Sequence, residues 1–389
     1  MKFNFLFLFC IMFNFFSCEP NFPKPSDNWF ATRIFQYESS AIAQNISQIY
    51  MTDEKTGFLL GNDFEKVTDM GGSDKDQSAY FFRSTDGGRT FEKQILGKGI
   101  LEYISSSADK KSFYMVCARF TEEDTTKPSN YQILKSKDTG RTWENLYLFE
   151  DKNLAEVLFL NDTIGYASII EDPVGYDIKV LYQTADGGKT WKPAQVDMEN
   201  KSLDLITPEG KIMGQYIEDE QAVWKMDIND MIVKRIPLDF PENLYIIGFI
   251  QTDPIANLHY VELRTKTPYG DKGMVVEYFL LCIETGEKIQ LPDNAFGWNI
   301  YGDYIGVLGG LKENQYIAQY YYSEDRGKSW KAETPKCIVC SAARSLYGKG
   351  YVWATTPMRV DSIYCPLMVR IPPAEKQQEK KKPTWTIFD

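Results

Sequence analysis

Carboxylates, one histidine, one closely spaced cysteine pair and eleven arginines are the chemically active material of this 389-residue chain. Acidic side chains cluster in three stretches: Asp69, Asp74 and Asp76; Glu122, Glu123 and Asp124; Glu171 and Asp172. Two facing carboxylates would run glycoside hydrolysis as acid and base, but nothing in the order of the sequence pairs any two of these. The spacing of Asp69, Asp74 and Asp76 lacks the regular ligand order of a calcium loop, so calcium is a minor alternative to no cofactor at all. His259 lies in Leu258-His259-Tyr260-Val261-Glu262, a strand pattern that gives Ser-His-Asp hydrolysis little support. Cys337 and Cys340 have CxxC spacing, yet a zinc site needs a second pair or histidines, and the chain has one histidine. No catalytic residue and no metal ligand is assigned.

The elements that must position these residues announce themselves as repeats. Four segments align without gaps: Ser84-Thr85-Asp86-Gly87-Gly88-Arg89-Thr90-Phe91, Ser136-Lys137-Asp138-Thr139-Gly140-Arg141-Thr142-Trp143, Thr184-Ala185-Asp186-Gly187-Gly188-Lys189-Thr190-Trp191 and Ser323-Glu324-Asp325-Arg326-Gly327-Lys328-Ser329-Trp330. An aspartate in a tight turn accepts hydrogen bonds from backbone N–H groups just beyond it, glycine supplies a positive φ, and the flanking hydroxyls satisfy what remains. The expected role is a hairpin clasp whose terminal aromatic drops into the core. The aspartates lie 52, 48 and 139 residues apart, the last close to three periods, so two repeats have lost the motif. Asp227-Ile228-Asn229 and Cys282-Ile283-Glu284-Thr285-Gly286-Glu287-Lys288 are the candidates. Alternating apolar stretches upstream, such as Glu156–Leu160, Ile164–Ile169 and Ile178–Gln183, read as strands. Three strands, the clasp and a fourth strand make one blade of an all-β propeller. Units near 46–94, 98–147, 152–195, 200–238, 243–291, 296–334 and 338–372 favour seven blades, with six as the alternative. A strand within Trp29–Gln36 is expected to pair with the last blade and close the ring, leaving no exposed sheet edge.

The repeat resembles the Asp-box, or bacterial neuraminidase repeat, of sialidases, xyloglucanases, sortilin-type receptors and photosystem assembly-factor propellers. Resemblance to sialidases implies three arginines gripping a substrate carboxylate, a Tyr nucleophile with a Glu partner, and an acid/base Asp. The chain departs from that pattern. The family's Arg-Ile-Pro precedes the first box, whereas here Arg370-Ile371-Pro372 follows the last, and Arg33-Ile34-Phe35 stands in the expected region without the proline. Xyloglucanase-like enzymes are usually two propellers long, and this chain has room for one. The likeness to the photosystem assembly-factor type covers residues 46–195 well and the remainder poorly. A binding or scaffold module is therefore preferred, with a glycosidase or a secreted inhibitor or immunity protein as alternatives.

If each box joins the third and fourth strands, the loops joining second and third strands lie on the opposite face. These carry Asp69, Asp74, Asp76, Glu122, Glu123, Asp124, Glu171 and Asp172, with Tyr269 and Arg359 in later blades, and form the candidate binding face. Residues 1–17 hold an apolar run from Phe3 to Phe16, short for a span of about 20 residues and suited to a signal peptide. The following Ser17-Cys18 resembles a bacterial lipoprotein signal, although the usual leucine and small residue upstream are both phenylalanine. The resemblance implies acylation of Cys18 and placement in the cell envelope, the outer membrane favoured because Glu19 follows. Beyond Ser17 there are 42 basic against 54 acidic side chains, one basic residue fewer than in the whole chain, a net −12. Such a charge disfavours nucleic acid and suits a cationic protein or glycan partner. The expected domains are the signal peptide, a Pro-rich tether over 18–28, the propeller over 29–372, and a charged tail over 373–389 expected to be disordered. Cys117, Cys282, Cys337, Cys340 and Cys365 remain for pairing. A disulfide between Cys340 and Cys365 and burial as thiols are both open.

Overall fold

The computed structural model describes residues 26–34, 46–62, 78–119, 130–150, 152–170, 179–216, 221–266, 276–310, 318–335, 343–355, 359–360, 363–364 and 367–373. They form seven four-stranded antiparallel sheets. Blade 1 comprises Ile46–Met51, Gly57–Asn62, Ser78–Ser84 and Glu92–Lys98; blade 2, Ile100–Ser106, Phe113–Arg119, Asn130–Ser136 and Glu144–Phe149; blade 3, Asn153–Phe159, Gly165–Ile170, Lys179–Thr184 and Lys192–Asp197. Blade 4 comprises Leu205–Ile206, Lys211–Gln215, Ala222–Asp227 and Val233–Pro237; blade 5, Leu244–Asp253, Leu258–Thr265, Tyr278–Cys282 and Lys288–Gln290; blade 6, Ala295–Tyr301, Tyr304–Gly310, Ala318–Ser323 and Lys331–Glu333. Blade 7 takes three strands from the end of the chain, Arg344–Tyr347, Tyr351–Thr355 and Leu367–Arg370, and its fourth, Trp29–Thr32, from the beginning. That last pairing, Trp29 with Arg370 through Thr32 with Leu367, closes the ring as the sequence indicates. It also explains why the seventh blade has no box: its third and fourth strands are not joined in sequence.

First strands meet one another around the axis, except that the second strand of blade 4 makes the contact with blade 5. Fourth strands lie at the rim and are largely exposed, as in Glu92–Lys98, except in blade 7, where Trp29 and Thr32 are buried. The middle strands are buried on both faces, which is why they read as apolar runs rather than alternating ones. In Phe113–Arg119, for instance, Phe113, Met115 and Cys117 pack toward blade 1, and Tyr114, Val116 and Ala118 toward blade 3. Seven hydrophobic clusters result among the described residues, one at each blade–blade interface. Burial of this kind stabilises by roughly 25 cal/mol per Å² of apolar surface, so interlocking blades, not hydrogen bonding within them, hold the ring. Cys117 and Cys282 are buried free thiols inside these clusters. Cys10, Cys18, Cys337, Cys340 and Cys365 lie outside the described residues, as do residues 1–25 and 374–389. No described helix is long and apolar enough to cross a membrane.

Candidate functional site

The boxes fix which face is which. In blade 1, Ser84 Oγ donates to Asp86 Oδ1 at 2.8 Å and accepts from Gly88 N at 3.0 Å, while Thr90 donates from N to Oδ1 at 3.0 Å and from Oγ1 to Oδ2 at 2.7 Å. The same set recurs around Asp138, Asp186 and Asp325, with the hydroxyls of Thr142, Thr190 and Ser329 bonding at 2.7, 2.6 and 2.6 Å. Gly188 shows why the glycine is needed: its φ is +90°, and a Cβ there would run into Leu146 of blade 2. Those hydrogen bonds, led by the one from the Thr142 backbone at Asp138 and by the Thr190 and Ser329 hydroxyls at Asp186 and Asp325, hold all three carboxyls down to about 2. The terminal aromatics differ from the expected uniform burial. Trp191 is buried, whereas Phe91, Trp143 and Trp330 are half-buried and pack against the core clusters from their margins.

Two boxes have diverged at the places the spacing indicates. In blade 4, Asp227 Oδ1 accepts only from Asn229, at 3.0 Å from N and 2.8 Å from Nδ2. In blade 5, Glu284 turns away from its own hairpin and holds His259, accepting from its backbone N at 2.9 Å and meeting Nδ1 at 2.6 Å. Burial alone would raise the Glu284 carboxyl, but its bonds with His259 outweigh that and lower it. His259 is 6% exposed, and its Nε2 has no hydrogen-bond partner among the described residues.

The opposite face carries the candidate site. Second and third strands end there, at pairs Asn62–Ala79, Arg119–Asn130, Ile170–Lys179 and Arg264–Tyr278. Asp69, Asp74, Asp76, Glu122, Glu123, Asp124, Glu171, Asp172 and Tyr269 follow those ends but lie outside the described residues. Arg359 falls in a short added hairpin, Arg359–Val360 with Ile363–Tyr364, between the second and third strands of blade 7.

The axial strands carry a series of β-bulges that strand periodicity does not reveal, near the start of the strand in blades 1, 2, 3 and 6 and in mid-strand in blade 5. Register shifts fall at Ser47, Glu102, Ala155 and Phe296 in blades 1, 2, 3 and 6, and between Ile247 and Gln251 in blade 5. A bulge leaves the backbone of one residue unpaired, and each of these lies three to five residues before the box-face end of its axial strand, toward the opposite mouth of the ring. Phe249 stands on the largest bulge and is 66% exposed. That bulge is fixed by blade 4: Ile250 N donates to Asp204 Oδ2 at 3.1 Å, and Gln215 Nε2 bonds the Gly248 carbonyl. Asp204 also accepts from Ser202 Oγ at 2.6 Å and Gln215 Nε2 at 2.9 Å, yet burial keeps its carboxyl above the usual range. Beside it opens a concavity of about 320 Å³ lined by Ser202, Gln215, Tyr216, Tyr245, Ile246 and Phe249.

Charge around the mouth is divided. On blades 2 to 4 stand Glu102, Glu156 and Asp204, each raised chiefly by burial; at Glu156 this is partly offset by Lys179, whose Nζ is 3.4 Å away. On blades 5 to 7 stand Arg264 and Arg344, the latter over the Phe296 ring at 5.2 Å and lowered by burial. Between them Glu262 accepts from Trp298 Nε1 at 2.8 Å, and burial pushes its carboxyl up to about 7. Among the described residues no group of histidine, cysteine and carboxylate side chains is arranged to hold a metal.

Seven blades, four of them closed by one aspartate clasp, define an Asp-box β-propeller. A family model of the BNR/Asp-box repeat matches residues 321–332, the clasp of blade 6. No curated protein matches the sequence. Among solved structures the chain is similar to YCF48 bound to D1 peptide, at 13% identity over 90% of this chain and 98% of that one with a TM-score of 0.52. It is also similar to YCF48 from Cyanidioschyzon merolae, at 14% identity over 88% and 98% with a TM-score of 0.51. Oligogalacturonate lyase from Vibrio parahaemolyticus gives 11% identity over 89% and 97% with a TM-score of 0.55. Binding proteins and a lyase thus share one architecture, and at these identities the likeness is of fold.

Proposed function

We propose that this propeller is a binding module that takes an extended segment of a partner protein at the channel mouth opposite the Asp-boxes, with an apolar side chain of the partner against Phe249, Tyr245 and Tyr216. The observation that carries this reading is Phe249: a large aromatic left exposed on a bulge that a neighbouring blade holds in place. Fixed aromatic anchors of this kind dominate protein recognition because they offer contact area at little entropic cost. YCF48, of the same architecture, has been seen with a peptide. The acidic residues of 62–77, 121–129 and 171–177, which follow the second strands of blades 1 to 3 in sequence, favour a partner that is net positive. Arg370 does not support a sialidase reading, since it is buried and spent on Glu333.

A photo-crosslinking residue placed at Phe249 is expected to capture a protein in intact cells, and the adduct is expected to vanish with Tyr245→Ser. The matched control is Ile255, equally apolar and 61% exposed on the box face. Equal capture at both positions, or turnover of a sialoside or glucan by purified protein, overturns the proposal. Acylation of Cys18 in the envelope belongs to the same reading. Wild type is expected to take up an acyl precursor that Cys18→Ser does not, and export without label would remove the anchor.

A further inference from the structure

The chain leaves the ring on the box face, at the blade 7 to blade 1 junction. Ile371, just past the third strand of blade 7, is 4% exposed and donates its N–H to the Asn28 carbonyl at 3.0 Å. Pro372 is half-buried and Pro373 exposed. Ile371 lines one concavity with Glu54 and Lys55, from the first hairpin of blade 1, and with Asp86 and Arg89 of that blade's clasp. A second concavity, of about 250 Å³, opens beside the same hairpin toward the axis. Its apolar walls are Tyr50 and Met51 of blade 1, Phe113 of blade 2 and Tyr347 of blade 7, with Lys110 and Lys111 at its margin. These walls are held in place: Tyr50 Oη donates to Ser106 Oγ at 3.0 Å, and the turn carrying Lys110 is tied to blade 3 by Ala108 N, which donates to the Phe159 carbonyl at 2.8 Å.

We infer that Trp385-Thr386-Ile387-Phe388 of the same chain docks in this second concavity, with Trp385 seated among Tyr50, Phe113 and Tyr347, and covers the box-face mouth of the ring. Residues 374–382 hold four lysines, two glutamates and no large apolar side chain, and Trp385, Ile387 and Phe388 then follow within four residues. A charged run stays solvated by itself, whereas three large apolar side chains gain by leaving water for an apolar surface. The exit at Pro373 brings them to the right face. Eleven residues separate Pro373 from Trp385. A coil of that length spans roughly 18 Å, against about 10 Å for the one hairpin that divides the two concavities. So matched a tether gives an effective concentration on the order of 1 mM, more than a second copy of the chain would supply. A segment whose free counterpart binds with a Kd of about 0.1 mM is then docked roughly nine-tenths of the time. Charge agrees with this path. The basic stretch Lys380-Lys381-Lys382 crosses the exposed Asp53 and Glu54 of the hairpin, and Asp389 brings a carboxylate to Lys110 and Lys111. The opposite mouth stays open, and the inference does not depend on what binds there.

The test uses the purified full chain. A photo-crosslinking residue replaces Trp385, and the adduct is mapped by mass spectrometry. The expected adduct lies within one molecule and joins position 385 to Tyr50, Met51, Phe113 or Tyr347. Amide hydrogen exchange is compared in parallel between wild type and Trp385→Ser, a change that removes nothing from the seven described core clusters. Exchange over residues 50–56 and 110–113 is expected to quicken by about tenfold, the protection lost when a segment docked nine-tenths of the time is released. Residues 248–250, on the other face, are expected to keep their rates. A synthetic peptide of residues 383–389 at about 1 mM is expected to restore the protection. An adduct between two copies or elsewhere on the ring, or exchange unchanged in Trp385→Ser, overturns the inference. Capture of a partner at Phe249 bears on neither result.

Discussion

Arg370 and Glu333 form a two-pronged ion pair, Nη2 to Oε1 at 2.8 Å and Nε to Oε2 at 3.0 Å, that ties the third strand of blade 7 to the fourth strand of blade 6. Asn28, just before the closing strand, donates to the same Glu333 Oε1 at 3.0 Å, so one carboxylate gathers both ends of the chain. Arg370 lies over the Tyr320 ring at 4.4 Å. Removing one member of a buried pair strands the other, at a cost of about 3–5 kcal/mol. Arg370→Met is expected to lose that much stability in denaturant unfolding and to expose the sequence near Trp29 to protease before the rest. A loss below about 1 kcal/mol, the value of a surface pair, would mean that the closure does not depend on it.

The box aspartates act as clasps. Asp138, Asp186 and Asp325, with carboxyls near 2, sit below the ordinary 3.8. Their contribution is complete above the unfolded value and is lost as pH falls through about 2. Asp186→Ala is expected to lower the melting temperature at neutral pH and to shrink the acid-induced loss between pH 4 and pH 2 (about the range that linkage sets). Trp191→Ala, which empties part of the core between blades 2 and 3, should cost about 3–5 kcal/mol. Asp186→Ala that abolishes partner binding at unchanged melting temperature would contradict the clasp.

Thr139 occupies the left-handed region, φ +58°, where blades 1 and 3 place Gly87 and Gly187 at φ +74° and +77°. A β-branched residue is strained there, by about 1 kcal/mol or more. Its carbonyl accepts from Arg83 Nε at 2.7 Å, a bond the side chain does not make. Thr139→Gly is therefore expected to stabilise the fold, partly offset by greater chain entropy, and equilibrium unfolding would show a raised midpoint with unchanged slope.

Glu262 sets a pH dependence of stability with the opposite sign to the clasps. Its carboxyl is raised to about 7, so the folded protein holds this proton more tightly than the unfolded chain. The native state is favoured at acid pH, and stability declines as pH rises from the ordinary carboxyl value through about 7, by on the order of 2–3 kcal/mol. Glu262→Gln is expected to be more stable than wild type at pH 8 and similar at pH 5, as orders of magnitude for one buried carboxyl. Parallel curves for the two proteins would show that the group is ionised without penalty.

The acidic segments are expected to act on encounter more than on stability. Replacing Asp69, Asp74, Asp76, Glu122, Glu123 and Asp124 together by their amides should slow association with the captured partner and flatten its salt dependence at unchanged melting temperature. Reversal of Lys189 and Lys328, on the box face, is the control. An effect confined to the control would move the site to the other face.

Sequence determined the repeat and, with it, the fold. The clasp is local: Asp86, Gly88 and Thr90 satisfy one another within a single turn, so their pattern survives in the text wherever the turn survives. The period of the boxes counted the blades, and the run of Trp29 to Thr32 gave the closing strand, because an unpaired edge must find a partner. What tertiary structure alone decided are relations between strands and between blades. Glu284 reads as a weakened box, yet its carboxylate belongs to His259 on the second strand of the same blade. Arg370 reads as a displaced substrate-gripping arginine, yet it is consumed by Glu333. The mouth depends on bulges that shift register by one or two residues. The glycines Gly248 and Gly297 hint at them, but strand periodicity cannot reveal which residue is left unpaired. Packing around an axis brings together residues dozens to hundreds of positions apart, and no local pattern records that meeting.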